Sequence, residues 1–207
     1  MRYTGPKKKL CRREGVNLFG SEKYDLSKGI RKTAGKFGKS SDSAQQLRSK
    51  QRAKRMYGLS EKQFASYFKK AVKSRGITGD TMFTLLEMRF DNVVFRSNLA
   101  RTIMQARQFV NHAHFLVNGQ KADIPSYALK VGDKITLREK LKESPLYKSF
   151  MAEFEEFKQN NSNGSVSAVR WIDVDVSSMT ITVTGMPTKD DFDQAMDIAR
   201  IVEFYSK

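Results

Sequence analysis

Residues 101–119 read RTIMQARQFVNHAHFLVNG, and this stretch decides how we interpret the fold. Thr102 is a favourable N-cap residue, and Gln105 follows three positions later, as in a capping box. The helix that follows is predicted to bury one apolar face, made of Met104, Ala106, Phe109 and Val110. It is predicted to end near residues 111–112.

A hairpin is predicted directly after this helix. Phe115, Leu116 and Val117 favour a strand, and the pair Asn118-Gly119 is the strongest two-residue hairpin signal. A polar, basic helix face held on a small sheet suits a partner lined with phosphates. The stretch therefore predicts an RNA-binding module that the rest of the chain positions.

The net charge of +16 is spread unevenly along the 207 residues. Residues 1–60 hold 17 Lys and Arg against 4 Asp and Glu, whereas residues 151–207 hold 5 against 10. A strongly basic front half predicts a polyanionic partner. The acidic end predicts a face kept away from nucleic acid, or one that meets a basic neighbour.

Several classes of protein are disfavoured. The single cysteine, Cys11, excludes an internal disulfide framework and a cysteine-based metal cluster, and it favours an intracellular protein. No segment has the length of apolar sequence that spans a membrane, and the N-terminus is not a secretory signal. The two histidines, His112 and His114, lack partners at metal-ligand spacing, which predicts one structural and one exposed histidine. We find no recognisable catalytic motif and predict that the protein is not an enzyme.

Helical patterns flank the module on both sides. Asp42 or Ser43 is predicted to cap a helix over 44–57, Ser60 with Gln63 a second helix, and Asp80 a third. Further along, Ser144-Pro145 opens a helix, strands follow near 168–174 and 179–184, and Thr188 with Asp191 caps a last helix that ends near 205. The residues predicted to face inward are, on the second helix, Phe64, Tyr67, Phe68, Ala71 and Val72; on the helix that opens at Ser144-Pro145, Leu146, Tyr147, Phe150, Met151, Phe154 and Phe157; and on the last helix, Phe192, Ala195, Met196, Ala199, Val202 and Tyr205.

These elements predict an α+β fold. We expect an irregular basic N-terminal arm over 1–43 and a helical domain over 44–88 that the C-terminal helix 188–207 completes. Between them we expect an inserted α+β RNA-binding domain over 89–187, with a small antiparallel sheet and a core module at 89–140.

Basic side chains in three segments, with a few polar ones near residues 101–112, are the candidate RNA-binding residues, because Lys and Arg contact phosphates. The composition leaves DNA open, but the absence of a recognition helix or heptad seam favours folded RNA. The candidates are Arg2, Lys7, Lys8, Lys9, Arg12 and Arg13; Arg48, Lys50, Arg52, Lys54 and Arg55; and Arg101, Thr102, Gln105, Arg107, Gln108 and His112.

Several motifs resemble one known family along nearly the whole chain. They are LEMRFDNVVFR at 86–96, QARQFV at 105–110, VNG at 117–119 and IPSY at 124–127. The start, RYTGP at 2–6 with RREG at 12–15, and the end, VEFYSK at 202–207, fit as well. The chain is similar to small-subunit ribosomal protein S four, in its bacterial or organellar form.

The resemblance implies a structural constituent of the small ribosomal subunit in the cytoplasm. Such proteins are primary binders of small-subunit ribosomal RNA at a multi-helix junction, nucleate assembly of the subunit body and support translational accuracy. The implied partners are this RNA, neighbouring small-subunit ribosomal proteins and messenger RNA near its entry channel, but no membrane. Two alternatives are the RNA-binding module of an RNA-modifying enzyme and a free regulatory RNA-binding protein.

Three departures from the family pattern affect these expectations. Many relatives hold zinc with four N-terminal cysteines, but this chain keeps only Cys11, and Lys8 stands where another would be. We therefore predict no zinc and no other cofactor. The arm's usual Pro-Gly-x-His-Gly reads Ala34-Gly35-Lys36-Phe37-Gly38. The segment after it, Lys39 to Gln45, is shorter and less basic than in relatives whose basic residues face messenger RNA, which weakens the case for a role in unwinding messenger RNA. Ile103 replaces the arginine that usually follows the cap, and Arg101 is a candidate to supply that charge.

Overall fold

The computed structural model describes residues 3, 5–19, 22–24, 26, 41–160, 169–191 and 196–206. The chain divides into two compact units, the first formed by residues 1–83 with 192–207 and the second by residues 84–191. The second unit is therefore one continuous stretch of chain, whereas the first combines the two ends.

Nine α-helices and five β-strands lie within the described residues. The helices are α1 (Lys7–Glu14), α2 (Asp42–Met56), α3 (Glu61–Lys73), α4 (Thr78–Glu87), α5 (Phe90–Arg96), α6 (Ile103–Asn111), α7 (Glu139–Lys142), α8 (Pro145–Asn160) and α9 (Ile198–Tyr205). The strands are β1 (Phe115–Val117), β2 (Gln120–Lys121), β3 (Lys134–Leu137), β4 (Ile172–Asp175) and β5 (Thr180–Val183). This combination confirms the predicted α+β class.

The strands form one antiparallel sheet in the second unit, in the order β2-β1-β3-β5-β4. The turn between β1 and β2 is formed by Asn118 and Gly119, which have φ angles of 49° and 80°. Two consecutive positive φ angles are the signature of a type I′ turn, whose twist matches that of the flanking strands. The predicted hairpin is confirmed.

The core of the second unit lies between this sheet and its helices. Residues of β1, β3 and β5 alternate between buried and partly exposed, so that Phe115, Ile135 and Ile181 face the core. Phe90 of α5 packs edge to face on Phe115, with 6.3 Å between ring centroids, and Tyr147 of α8 packs on the same ring. The sheet thus holds α5, α6 and α8 through one shared apolar cluster.

The first unit is built from helices, and α9 packs along α2. The capping box at the start of α3 is complete, because the Ser60 hydroxyl accepts from the Gln63 amide and the Gln63 side chain accepts from the Ser60 amide. Gly79 allows α4 to approach α9 closely, since a Cβ atom there would overlap Cγ2 of Ile198. A larger residue at this position would require the Ile198 side chain or the helices to shift.

Several predicted boundaries are wrong by a few residues. Ser41, not Asp42 or Ser43, caps α2, and α4 begins at Thr78. The pair Thr188 and Asp191 forms, but it starts a single 3-10 turn over Lys189–Asp191, and Asp197 caps the last helix.

The basic arm contains an element that the sequence analysis did not anticipate. Residues 7–14 form α1, and Cys11 at its centre packs with Leu18 and Phe19.

Three positions predicted to face inward are exposed, namely Val72, Leu146 and Ala199. The side chains of Phe154 and Phe157, and residues Phe192 and Ala195, lie outside the described residues.

Candidate nucleic-acid interface

The start of α6 is fixed by two side chains that were predicted to touch RNA. Thr102 Oγ1 accepts a hydrogen bond from the Gln105 amide at 3.2 Å, and Gln105 Oε1 accepts one from the Arg101 amide at 2.8 Å. The glutamine thus reaches one residue further back than in a capping box. Both side chains satisfy free N–H groups at the helix start.

Arg107 on the same helix is held by a buried carboxylate. Its Nε and a terminal nitrogen donate to Oδ2 of Asp91 at 2.8 and 2.6 Å. Asp91 is fully buried and also accepts two hydrogen bonds from Arg89, which is 4 % exposed, at 3.1 and 3.0 Å. Since 28 % of the Arg107 side chain remains exposed, this ion pair orients the guanidinium at the surface.

Arg101 contacts α8. Its guanidinium lies 5.7 Å from the centre of the Phe150 ring and forms an ion pair with Glu153. Both charged side chains are at least half exposed, so the pair contributes little to stability and a phosphate can replace it. Ile103, which follows the cap, is buried and packs inward. Arg101 directly precedes the cap residue Thr102 in the chain.

The end of α6 contains the two histidines. His112 and Gln108 are exposed, whereas His114 stacks on Phe109 with 5.0 Å between ring centroids. A hydrogen bond of 2.8 Å joins His114 Nδ1 to the Tyr147 hydroxyl. Burial, together with the nearby charges of His112 and Arg138, lowers the pKa of His114 below its usual value. The prediction of one structural and one exposed histidine is confirmed.

The arginines of α2 converge on the end of α1. Glu14 is fully buried, and its Oε1 accepts from Arg55 and, at 3.5 Å, from Arg48. Arg52 donates to the Glu14 carbonyl at 3.0 Å. These side chains share one face of α2 because they are spaced by four and three residues. They therefore attach α2 to α1 in addition to any role in binding RNA.

The lysines of α2 serve the interior of the first unit. Lys50 is only 7 % exposed, and its Nζ lies 2.8 Å from Glu61 and 4.4 Å from the centre of the Phe204 ring. Lys54 and the Tyr205 hydroxyl donate to the same carboxylate, each at 2.9 Å. Burial alone would raise the pKa of Glu61, but these three hydrogen bonds outweigh burial and lower it to about 2. Lys50 therefore links α2, α3 and α9 rather than facing solvent.

The cations of α1 have a different environment. Lys8, Lys9, Arg12 and Arg13 are exposed, and none has a carboxylate partner within the described residues. Lys7 lies 5.5 Å from the centre of the Phe19 ring. Arg2 lies outside the described residues. Among the predicted side chains, this group on α1 is the one most open to a phosphate-bearing partner.

Sequence reasoning missed the carboxylates that position the cations, namely Glu14, Glu61 and Asp91. The signal for Asp91 was present, because it lies in the apolar run of α5, whose other residues include the buried Phe90 and Val93. A charge inside such a run is buried only when paired. Glu14 and Glu61 lie in polar segments, where their burial or pairing has no local signature.

The described residues do not fit a zinc site. Cys11 is a free thiol, fully buried among apolar side chains. Over the same residues, His, Cys, Asp and Glu nowhere form a group of three that could ligate a metal ion.

None of the described helices combines the length and apolar composition needed to cross a membrane.

The sequence matches two families that together cover most of the chain. Residues 2–87 match the family described as "Ribosomal protein S4/S9 N-terminal domain", and residues 88–135 match the "S4 domain". Proteins named small ribosomal subunit protein uS4 are similar over the whole chain and 99 % of their own length. Those of Heliobacterium modesticaldum, Acetivibrio thermocellus and Syntrophomonas wolfei are 41 %, 42 % and 40 % identical to it. The chain therefore belongs to the ribosomal protein S4 family.

Proposed function

We propose that this protein is a structural constituent of the small ribosomal subunit that binds the ribosomal RNA and performs no catalysis. Family membership along the full chain supports the assignment to the subunit. The observation that carries RNA binding is the group of exposed α1 cations without a carboxylate partner among the described residues. Such side chains bind phosphates without first breaking an internal ion pair.

The geometry separates the candidate residues into two groups. Lys8, Lys9, Arg12 and Arg13 on α1, with Arg48, Arg101, Gln108 and His112, present polar or charged groups to solvent and are proposed to contact RNA. Lys50, Lys54 and Arg55 are proposed to act mainly by holding the helices together. Arg107 belongs to both groups, since it is paired yet partly exposed.

The finer role follows the family. The protein is proposed to bind the body of the small-subunit RNA early in assembly, to support accurate decoding, and to contact neighbouring ribosomal proteins through its acidic C-terminal region. Its proposed location is the ribosome in the cytoplasm, near the messenger entry channel. In this scheme residues 1–43 and the helical domain supply affinity, and the inserted domain over 89–187 fixes orientation.

Salt-dependent RNA binding tests the proposal. The purified protein should bind a transcript of the small-subunit RNA body with an affinity that falls steeply as salt rises. Replacing both Arg12 and Arg13 by Gln should weaken binding and reduce the slope of log K against log salt by about 2, at unchanged thermal stability. Replacing Lys140 and Lys142 by Gln removes the same charge elsewhere and serves as the control. A slope near zero for the unmodified protein would contradict the proposal.

Sedimentation of cell extracts distinguishes the alternatives. A ribosomal constituent travels with small subunits even in high salt. A regulatory protein or an RNA-modifying enzyme would leave the subunits when the salt concentration rises.

A further inference from the structure

The outward face of α3 carries a row of lysines. Lys62, Ser66, Lys69 and Lys73 are spaced by four, three and four residues, which places them on one side of a helix with 3.6 residues per turn. The buried Phe64 and Ala71 lie on the opposite side. All four outward residues are exposed. We call Lys62, Lys69 and Lys73 the α3 lysine face.

These lysines differ from those of α2 in their surroundings. Lys50 and Lys54 share the carboxylate of Glu61 at 2.8 and 2.9 Å. Over the residues that the structure describes, no carboxylate lies within 4.0 Å of a lysine of the α3 lysine face. Glu61 is the single acidic residue of α3, and it is engaged with α2 and α9. The face therefore keeps its full positive charge.

The same face is electrostatically unfavourable in the isolated protein. Lys69 and Lys73 are four residues apart, and like charges at this spacing destabilise a helix. Lys70, over the ring of Tyr67 at 5.6 Å, and the exposed Arg75 add further positive charge nearby. A polyanion that neutralises these charges would relieve the repulsion.

We propose that the α3 lysine face binds the phosphate backbone of an RNA strand, at a surface additional to α1. The rise of 1.5 Å per residue places Lys69 and Lys73 about 6 Å apart along the helix axis, and Lys62 about 10 Å beyond Lys69. A linear row of point charges suits successive phosphates. None of the four outward residues is aromatic, so the face does not stack bases, and its binding is independent of base sequence.

This inference rests on the proposed function, and a triple replacement tests it separately. Lys62→Gln, Lys69→Gln and Lys73→Gln together should lower affinity for the small-subunit RNA about tenfold or more and reduce the salt slope by two to three. The control replaces Lys140, Lys142 and Lys148, three exposed lysines of the second unit, and should change affinity less than about threefold. Neither variant should be less stable to heat than the unmodified protein, because these side chains make no internal ion pair among the described residues.

Each other outcome overturns the inference. Equal losses in the two variants would show that only net charge matters, and an unchanged affinity would show a merely solvated helix face. In both cases the unmodified protein still binds RNA, so the proposed function stands. If the unmodified protein failed to bind, the proposed function would fail and the inference with it.

Crosslinking identifies what covers the face in the assembled subunit. Ser66→Cys places a thiol in the middle of the row, and the native Cys11 is fully buried, so a thiol-reactive photo-crosslinker labels position 66. Irradiation of small subunits that contain the labelled protein should yield a crosslink to ribosomal RNA. A crosslink to a protein would assign the face to an acidic protein partner instead, and no crosslink would mean an uncovered face. Ser149→Cys on α8 provides the matched control for labelling.

Discussion

Glu61 joins three helices through its carboxylate, and Glu61→Gln tests this reading of the first unit. The replacement removes the ion pairs to Lys50 and Lys54 and weakens the hydrogen bond from Tyr205. A pKa lowered from 4.5 to about 2 corresponds to about 3 kcal/mol if no solvent screened the charge. Because 45 % of the Glu61 side chain is exposed, screening reduces this, and we expect a loss of about 1–2 kcal/mol.

The pH dependence has a defined sign. Glu61 has a lowered pKa in the folded state, so its contribution is fully present above the ordinary value of 4.5 and is lost as the pH falls towards 2. The stability difference between the unmodified protein and the variant should be equal at pH 7 and pH 5.5. It should retain about half of its size at pH 4 and nearly vanish at pH 2.

Hydrogen exchange of peptides from α2 and α3 measures this difference in stability. Tryptophan fluorescence is not suitable, because the single tryptophan, Trp171, lies in the second unit and reports on the unfolding of that unit. Asp42→Asn on the exposed first turn of α2 is the control, and it should cost less than about 0.5 kcal/mol. A difference below about 0.3 kcal/mol at pH 7, or one already absent at pH 4, would refute the reasoning.

Three predictions concern the second unit, whose unfolding in urea Trp171 fluorescence can follow. Asp91→Ala should cost about 3–5 kcal/mol, because it leaves Arg89 buried without its carboxylate; a cost below about 1 kcal/mol would contradict this. Asn118→Ala should cost about 1–2 kcal/mol, because alanine is strained at a positive φ angle and the two hydrogen bonds of the Asn118 side chain are lost. Asn118→Gly loses the same hydrogen bonds without the strain and should cost less, so equal costs would show that the φ angle contributes nothing. His114 has a lowered pKa, so stability should fall as the pH drops below 6.5, and an NMR titration should place its midpoint below that value.

The parts of the fold that the sequence predicts well depend only on residues that are close together in the chain. The hairpin at Asn118 and Gly119 and the cap of α3 at Ser60 require only local hydrogen bonds and backbone angles, so a short pattern specifies them. The start of α9 was misplaced because Thr188 and Asp191 form a genuine cap, but the element they start is the 3-10 turn over Lys189–Asp191, whereas Asp197 caps α9. A local signal predicts the start of an element but not its length.

The availability of the basic side chains could not be read from the sequence. Lys50 and Lys69 are both lysines on polar helical segments, yet one is buried against Phe204 and the other is exposed. The difference comes from residues far away in the chain, since Phe204 follows Lys50 by more than 150 positions. Tertiary packing therefore decides which cations of a basic protein remain for a partner. The roles of the individual RNA-binding candidates stay predictions.

The pairing of α2 with α9 has a consequence for synthesis of the chain. A ribosome makes residues 84–191 as one uninterrupted stretch, so the second unit can fold while the chain is still growing. The first unit needs Phe204 and Tyr205, which are synthesised after the whole second unit. We expect α2 and α3 to pack together only after α9 has been synthesised, and until then their lysines are open to any polyanion nearby.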